Sequence, residues 1–382
     1  MKKVITMLIT ACMVLSLFSV RSNALDDNAP FEVKAKSAVL LDAVSGEVLY
    51  CKNANEPLPP ASVTKVMTLL CVMEAIDSGA LLLTDIVTVS DNAASMGGSQ
   101  VYLEVGEEMT VDEMLKCVVV ASANDAAVAL AEKVAGSEAA FVELMNQRAH
   151  ELGMKDTNFE NVTGLDDSTV NHTISAYDIA IASRELIMKH PKIFDYTTIW
   201  MDTVRNGEFG LSNTNRLIRF YKGATGLKTG STSKAGFCIS ATAKRDNMHL
   251  IAVIMGSETR DIRNAAATTL LDWGFATFST YIVDGGSAGE VTVQGGNKDS
   301  VMLEYPQFSK LLGKGKEKKI TVEKDIPESL QAPVNKGDKV GSIRYLCDGT
   351  EIGSVDVYCT ETVEKIGFWG ILLEFFRCYF VI

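Results

Sequence analysis

A serine and a lysine three residues apart stand at the start of an apolar stretch. Ser62 and Lys65 belong to the run PASVTK at residues 60–65, and in a helix side chains at this spacing lie on one face. Apolar neighbours solvate an ammonium poorly, so the Lys65 amine is expected to act as a base near neutral pH. The first turn of a helix also directs backbone N–H groups at incoming negative charge. The pair therefore predicts a serine nucleophile activated by a neutral amine.

Two further polar motifs follow later in the chain. Ser122 and Asn124 stand in a Ser-Ala-Asn sequence after an apolar helix pattern, and Lys228-Thr229-Gly230 precedes a strand pattern. The glycine permits close approach of a substrate to the strand, while the lysine and threonine offer a charge and a hydroxyl to a carboxylate. Each motif alone is weak, since a serine at a helix start is usually only a cap. Their order and context together indicate one acyl-transfer site.

The hydrophobic pattern predicts the elements that hold these motifs. Two β-rich runs flank Ser45-Gly46, and a buried helix is expected to begin near Ser62. Further helices are predicted to start at Thr110, Ser137 and Ser175, followed by strands at residues 236–244 and 249–255 and a helix at 260–278. The pattern is typical of an α+β fold in which strands from both ends of a domain form one sheet around a helical middle section.

Both ends of the chain are apolar. Residues 1–24 combine a basic start, an uncharged apolar run and small residues at 22–24, which is the pattern of a cleaved export signal. A retained membrane helix and lipidation at Cys12 are the alternatives. Residues 366–382 are apolar and aromatic apart from Glu374 and Arg377, a length of about 25 Å as a helix, which favours an interfacial helix over a spanning one. The alternative is a helix buried against the body.

We therefore predict four segments. Residues 1–24 are a signal peptide, 25–280 a catalytic domain, 281–360 a small β-rich domain with many glycines, and 361–382 an amphipathic membrane anchor. The net charge of −12 argues against a nucleic-acid binder, which carries a basic face for phosphate. Eight scattered cysteines are no disulfide framework, although Cys347 and Cys359 are candidates to pair across a hairpin. Neither the cysteines nor the four histidines have metal-site spacing, so no metal or organic cofactor is expected.

The three motifs together resemble those of the penicillin-binding serine acyl-transferases, and within them the low-molecular-mass D-alanyl-D-alanine carboxypeptidases. The resemblance extends over the whole chain and includes NVTGL at residues 161–165 and LLDWGF at 270–275. It implies an α+β fold: a penicillin-binding/β-lactamase-like catalytic domain, made of a helical cluster plus an antiparallel sheet, followed by a small all-β domain.

The resemblance also implies roles for the motif residues. Ser62 would be acylated by the carbonyl of the penultimate D-alanine, Lys65 would activate it, and Ser122 would pass a proton to the leaving amine. The backbone N–H groups of Ser62 and Ser231 would form the oxyanion hole. The expected substrate-binding residues are Asn124 for the peptide amide, Lys228, Thr229 and Arg263 for the terminal carboxylate, and Gly230 and Ser231 beside them.

The choice of carboxylate-binding arginine stays open at this point. Arg263 lies seven residues before the Leu270-Leu271 pair, as the family pattern requires, but Asn264 follows it where an apolar residue is expected. Arg260 lies one helical turn earlier, so either arginine fits the carboxylate. Asp125, Asp166 and His172 are taken as structural, with His172 as a support for the site loop.

The activity implied is that of a serine-type D-Ala-D-Ala carboxypeptidase, which removes the terminal D-alanine from peptidoglycan stem peptides through a Ser62 acyl-enzyme. β-Lactam antibiotics would be covalent inhibitors with long-lived acylation. The enzyme would be exported and attached peripherally to the outer face of the cytoplasmic membrane. A β-lactamase is one alternative, but no glutamate in an E-x-x-L-N setting is available to activate water. A non-catalytic peptidoglycan-binding protein is the other.

Overall fold

The computed structural model describes residues 30–167 and 169–370, with residues 372 and 376; the predicted signal peptide lies outside them. The strands of the N-terminal part are β1 Ser37–Asp42, β2 Val48–Lys52, β3 Ile86–Thr88, β4 Glu108–Thr110, β5 Thr157–Asn158, β6 Thr173–Ile174, β7 Met201–Val204, β8 Phe209–Ser212, β9 Ala224–Thr232, β10 Gly236–Arg245 and β11 Met248–Ser257. Its helices are α1 Lys65–Asp77, α2 Asp91–Ala94, α3 Val111–Val120, α4 Asn124–Ala135, α5 Glu138–Glu151, α6 Ala176–Lys189, α7 Phe194–Thr197, α8 Leu217–Phe220 and α9 Arg260–Thr277. Short 3₁₀ turns cover Ala61–Thr64 and Pro191–Ile193.

A five-stranded antiparallel sheet in the order β2-β1-β11-β10-β9 joins the two ends of this domain. The strands are buried on both faces, and alternate residues serve different cores. Along β11, Ile251 and Val253 pack into the large helical cluster, whereas Leu250 and Ala252 pack against α9. The sheet is therefore a central layer, with α9 on one face and the helical middle section on the other.

Helix boundaries follow the local capping signals. Thr110 and Glu113 form the predicted capping box at the start of α3, and the hydroxyls of Ser137 and Ser175 cap α5 and α6. The structure differs from the sequence prediction at two places near the motifs. Ser62 lies in the 3₁₀ turn before α1 and not within the α-helix. Asn124 is the first residue of α4, a helix that the sequence analysis did not predict.

The C-terminal part is a separate all-β unit. Its strands are β12 Phe278–Val283, β13 Gly286–Gln294, β14 Ser300–Tyr305, β15 Phe308–Gly313, β16 Ile320–Asp325, β17 Ser329–Gln331, β18 Lys339–Cys347 and β19 Thr350–Cys359, with a 3₁₀ turn at Lys316–Lys319. Six of these strands form one sheet in the order β16-β18-β19-β14-β13-β17, and β12 pairs with β15. The fold class predicted from the sequence, a helical cluster plus antiparallel sheet followed by a small all-β domain, is confirmed.

The proposed pairing of Cys347 with Cys359 is wrong. Both residues are buried free cysteines. Cys347 faces Thr350 beside the turn of the β18–β19 hairpin, whereas Cys359 lies at the far end of β19, where its neighbour Tyr358 faces Lys339. Residues that pair across a hairpin are equidistant from its turn, and these two are not.

The two parts of the chain are held together at β1 and the β1–β2 turn. Leu311 of β15 packs into the core beneath α9, and the Lys310 ammonium pairs with Glu47 at 2.5 Å. The Thr280 hydroxyl donates to the buried carboxylate of Asp42 at 3.3 Å. Within the residues that the structure describes, none of the helices combines the length and apolar character that crossing a membrane requires.

Helix α9 approaches the sheet most closely at Gly274. A Cβ atom there would lie 2.6 Å from a methyl carbon of Leu250 and 2.9 Å from one of Leu40, and both leucines are fully buried. We expect Gly274→Val to lower the free energy of unfolding by about 2 kcal/mol, the usual cost of overpacking. Urea unfolding of the purified protein measures this change. Gly286→Val is the matched control, because a Cβ on Gly286 meets nothing within 4 Å; equal destabilisation by the two variants would contradict the packing argument.

Candidate active site

A cleft of about 650 Å³ runs between β9 and the helical middle section. Ser62 and Ser122 lie on its floor, and its remaining lining residues are Ser99, Trp200, Ser212, Asn213, Thr214, Arg216, Phe220, Thr229, Gly230, Ser231, Arg260 and Arg263. None of these lining residues is a carboxylate. The three motifs predicted from the sequence therefore meet at one concave site of the size that small ligands occupy.

The turn that carries Ser62 is pressed against β9. A Cβ atom on Gly230 would lie 2.7 Å from the Ser62 nitrogen and 2.9 Å from the Val63 nitrogen, so only glycine lets the two backbones come this close. Ala61 holds a left-handed φ of 49° just before the serine. Such backbone conformations are costly for residues other than glycine and are concentrated at functional sites.

The Lys65 amine is completely buried and touches the Ser62 hydroxyl. Its Nζ lies 3.0 Å from Ser62 Oγ, 2.5 Å from Asn124 Oδ1 and 3.0 Å from the Thr163 carbonyl oxygen. Burial lowers the pKa of Lys65 well below its ordinary value and the charge of Lys228 lowers it further, while Asp125 opposes the shift. A neutral amine fits these contacts: its two N–H groups donate to the two carbonyl oxygens, and its lone pair accepts the Ser62 hydroxyl proton.

Ser122 and Asn124 approach from the junction of α3 and α4. Ser122 has a left-handed φ of 64°, which turns the chain sharply between the two helices. Asn124 is fixed on both sides: its backbone N–H donates to the Ser99 carbonyl at 2.7 Å, and its side-chain amide donates to the Gly97 carbonyl at 2.7 Å. The Asn124 carbonyl is thereby held toward the lysine amine.

Lys228 is the second buried lysine of the site. Its Nζ donates to Ser122 Oγ at 2.8 Å and to the Thr229 carbonyl at 3.0 Å. Burial lowers the pKa of Lys228 to about 7, and the positive charge of Arg263 adds to the effect. The hydroxyl of the next residue along β9, Thr229, donates to Thr214 Oγ1 at 2.8 Å.

Both candidate arginines reach the cleft. Arg263 is 3% exposed, and burial together with the charge of Arg260 lowers its pKa to about 10. Its guanidinium donates to Asn264 Oδ1 at 2.8 Å and 3.1 Å and has no carboxylate partner among the described residues. Asn264 therefore orients Arg263 toward the cleft, which accounts for a polar residue where the family pattern has an apolar one. Arg260 is exposed on the same rim.

His172 supports the serine turn through a relay of hydrogen bonds. The Glu160 backbone N–H donates to His172 Nδ1 at 2.9 Å, so the ring proton is on Nε2, which donates to Thr64 Oγ1 at 2.8 Å. The Thr64 hydroxyl in turn donates to the Ala61 carbonyl at 2.9 Å. Burial lowers the pKa of His172 to about 4, so the ring stays neutral in this role.

The two aspartates left as structural also hold loops around the site. The buried Asp125 carboxylate accepts the backbone N–H groups of Val101 and Leu103. Asp166 accepts the hydroxyl of Thr232 at the end of β9. These contacts join the loops on both sides of the cleft to its walls.

The structure brings all of the predicted site residues together at this cleft, and it adds residues that the sequence analysis did not single out. Thr163 and Gly97 contribute backbone carbonyls, for which a sequence carries no signal. Thr214 and Arg216 belong to a polar run, SNTNR at 212–216, whose density of hydrogen-bonding side chains is the one available hint. In the described part of the chain, no group of histidine, cysteine and acidic side chains is arranged to hold a metal ion.

Comparison with known proteins gives two family matches. Residues 23–259 match the family model for D-alanyl-D-alanine carboxypeptidase, and residues 277–365 match the model for the C-terminal domain of penicillin-binding protein 5. The chain is 42% identical over 377 residues to the D-alanyl-D-alanine carboxypeptidase DacF of Bacillus subtilis, covering 96% of each chain. It is 34% identical to DacC of Escherichia coli, covering 90% of this chain and 88% of that one.

Solved structures agree with these matches. Penicillin-binding protein 5 of Haemophilus influenzae superposes with a TM-score of 0.77 at 33% identity, over 88% of this chain and 99% of that one. Penicillin-binding protein D2 of Listeria monocytogenes in its ampicillin-bound form superposes with a TM-score of 0.60 at 30% identity, over 65% of this chain and 100% of that one.

The neutral His172 makes the stability of the site dependent on pH. Its pKa falls from 6.5 in the unfolded chain to about 4 in the fold, so only the unfolded state binds this proton between those values. Its contribution to the free energy of unfolding is complete above pH 6.5 and is lost as the pH falls toward 4, by up to about 3 kcal/mol. We expect the difference in free energy of unfolding between the wild type and His172→Gln, measured by thermal unfolding, to become smaller as the pH falls from 6.5 toward 4.

Val322→Gln, at an exposed position of β16, provides the control, because it removes no titratable group. Its difference in free energy of unfolding from the wild type is expected to stay constant between pH 7 and pH 4.5. Parallel stability curves for the wild type and His172→Gln would contradict the proposed neutral ring.

Proposed function

Because the chain belongs to the family of serine-type D-alanyl-D-alanine carboxypeptidases, we propose that Ser62 is its nucleophile and Lys65 the base that activates it. The observation that carries this assignment is the contact between the Lys65 amine and the Ser62 hydroxyl at 3.0 Å inside a buried pocket. Burial lowers the pKa of this lysine, so the amine is neutral and its lone pair is available for the serine proton.

Acylation begins when Ser62 Oγ attacks the carbonyl of the penultimate D-alanine and its proton passes to Lys65 Nζ. The backbone N–H groups of Ser62 and Ser231 stabilise the oxyanion that forms. They stand on the two chain segments that Gly230 brings into contact. Asn124, whose backbone N–H and side-chain amide each donate to a backbone carbonyl, binds the peptide amide of the substrate.

Departure of the terminal D-alanine needs a proton on its nitrogen. Ser122 supplies it, since its hydroxyl accepts a hydrogen bond from Lys228 at 2.8 Å and can pass a proton across the cleft. Lys228, Thr229 and Arg263 bind the terminal carboxylate. Ser122 recovers its proton from Lys228. Water then hydrolyses the Ser62 ester: the proton of the water passes through Ser122 to Lys228, Lys65 returns its proton to Ser62 Oγ, and the shortened peptide is released.

The substrate class we propose is the peptidoglycan stem peptide, with β-lactam antibiotics as covalent inhibitors. The ampicillin-bound relative and the shared cleft support the inhibitor assignment. None of the described residues that line the cleft has a carboxylate to activate a deacylating water. The arrangement therefore favours a long-lived penicillin ester over the turnover of a β-lactamase, and the intact constellation favours an enzyme over a passive binder.

Two substitutions test the catalytic roles. Ser62→Ala removes the acylated oxygen and is expected to abolish both penicillin labelling and release of D-alanine from diacyl-Lys-D-Ala-D-Ala. Lys65→Arg replaces the neutral amine with a guanidinium that stays protonated and cannot accept the serine proton, so we expect kcat/KM to fall by about 10³ or more. Labelling is measured by gel fluorescence and D-alanine by a coupled assay.

The controls are Ser78→Ala and Lys192→Arg, two exposed positions outside the cleft that are expected to leave both activities within about twofold. Penicillin labelling of Ser62→Ala at the wild-type rate would show that another residue is the nucleophile.

We also propose that the enzyme is exported by the signal at residues 1–24 and attached to the outer face of the cytoplasmic membrane by residues 361–382. Support comes from the described part of the last segment, where Phe368 is 73% exposed and Trp369 is 77% exposed. Their rings contact each other edge to face at 5.7 Å and form an aromatic surface suited to a lipid interface. Phe375 and Tyr379, which we also expect to enter the lipid, lie outside the described residues.

Vesicle co-sedimentation tests the attachment. The chain from residue 25 is expected to bind vesicles of phosphatidylglycerol and phosphatidylcholine, and a chain ending at residue 365 is expected to lose most of this binding. The double variant Phe368→Glu, Trp369→Glu should weaken binding about tenfold or more, because it removes the two exposed aromatic rings proposed to enter the lipid interface. Val322→Glu, at an exposed position of β16, is the control. Undiminished binding by the shortened chain would disprove attachment by this segment.

A further inference from the structure

The arginines of the cleft lack the partners that arginines elsewhere in this chain have. Among the described arginines, Arg148, Arg205, Arg245 and Arg344 form ion pairs with acidic side chains, and Arg184 donates to backbone carbonyls. Arg219 stacks on Trp200 and Phe220, with its Cζ 5.7 Å and 5.8 Å from the ring centres. Arg216, Arg260 and Arg263 have no acidic partner within the described residues, and all three line the same cleft.

This concentration of unpaired positive charge is unusual in a chain with a net charge of −12. Cations that are not neutralised by the protein create a local positive potential that attracts anions to a cleft. A single terminal carboxylate accounts for Arg263, which is buried beside Lys228. It leaves Arg216 and Arg260, both exposed on the rim, without a ligand.

The position of the two rim arginines indicates which part of a substrate they face. Thr229, proposed to bind the terminal carboxylate, donates its hydroxyl to Thr214, and Arg216 follows two residues later. Arg260 lies one helical turn before Arg263 on α9. Both therefore line the cleft beside the residues proposed to bind the terminal carboxylate. That carboxylate belongs to the leaving residue.

The cleft, at about 650 Å³, is also larger than a D-alanine methyl group requires. Trp200 and the 72% exposed Phe220 lie edge to face at 6.1 Å and form an apolar wall beside the arginines. An apolar wall next to unpaired guanidinium groups suits a flexible aliphatic chain that ends in a carboxylate.

We propose that Arg216 and Arg260 form a second anion subsite, which selects leaving residues that carry a carboxylate in addition to the one at the scissile end. The inference rests on the proposed catalytic orientation and names a substrate class for the same site. Two sources have this chemistry: a terminal D-residue with an acidic side chain, and the D-amino end of a diamino-dicarboxylic residue that belongs to a neighbouring stem. The reaction is unchanged: Ser62 is acylated, the amine leaves with one proton, and water hydrolyses the ester.

The test compares kcat/KM for diacyl-Lys-D-Ala-D-Glu with that for the neutral isostere diacyl-Lys-D-Ala-D-Gln. We expect the wild type to prefer D-Glu by about tenfold, which is the size of one charge-assisted hydrogen bond. Arg216→Gln should reduce the preference to below about threefold, and Arg216→Gln combined with Arg260→Gln should abolish it. Added salt should weaken the preference, because the subsite is open to solvent.

Arg219→Gln is the matched control, because it removes the same charge from a neighbouring position that stacks on the aromatic pair and does not line the cleft. It is expected to retain the wild-type preference. A second pair of substrates joins D-alanine to a diamino-dicarboxylic residue with its distal carboxyl free or amidated, and the larger acid-to-amide ratio identifies the source. Ratios near one for both pairs in the wild type would overturn the proposal, as would an equal loss in Arg219→Gln. Failure to release any residue, D-alanine included, would instead disprove the catalytic proposal.

Discussion

Two lysine amines are buried in one site where, within the described part of the chain, no acidic side chain is bonded to either, and this constraint shapes the surrounding structure. Lys65 and Lys228 are 0% and 1% exposed, and their nitrogens contact only hydroxyl groups and carbonyl oxygens. A buried ammonium without a counter-charge is costly, so both pKa values fall. A carboxylate bonded to the Lys65 amine would favour its charged form and remove its function as a base. Asp125 raises the pKa of Lys65, but its carboxylate accepts the backbone N–H groups of Val101 and Leu103.

The rest of the catalytic domain holds these amines in place. Three chain segments distant in sequence meet at the cleft: the turn before α1, the junction of α3 and α4, and strand β9. Each segment is fixed by its own contacts. The His172–Thr64 hydrogen bonds hold the turn, the bonds of Asn124 to backbone carbonyls hold the helix junction, and the close approach at Gly230 holds β9 against the turn. Rigid placement of this kind is what a proton-transfer site needs, because donors and acceptors must remain within hydrogen-bond reach.

The charge distribution follows from the same constraint. The chain has more acidic than basic residues, yet none of the described residues that line the cleft is acidic, and the positive charges of three arginines repel each other there. The repulsion is relieved when an anion binds, so substrate binding and the protonation of Lys228 and Arg263 are coupled. The all-β domain, joined to the catalytic domain through β15 and β1, extends the molecule toward the segment that carries Phe368 and Trp369.

Many of the secondary-structure elements and the type of chemistry could be predicted from the sequence alone. Periodicity and capping residues such as Thr110 and Ser175 predicted elements correctly, because these signals act within one helical turn. The motifs at Ser62, Ser122 and Lys228 indicated the chemistry, because each consists of adjacent residues of specific types. The sequence did not predict α4, because its N-cap residue Ala123 has no capping side chain. It also did not show that Cys347 and Cys359 lie at different distances from the turn of their hairpin. Only the tertiary structure decided which backbone carbonyls accept from Lys65, how Thr64 links His172 to Ala61, and that Arg216 shares a cleft with Arg263. These contacts join residues as many as 108 positions apart, and backbone groups are common to every residue, so no local pattern records them.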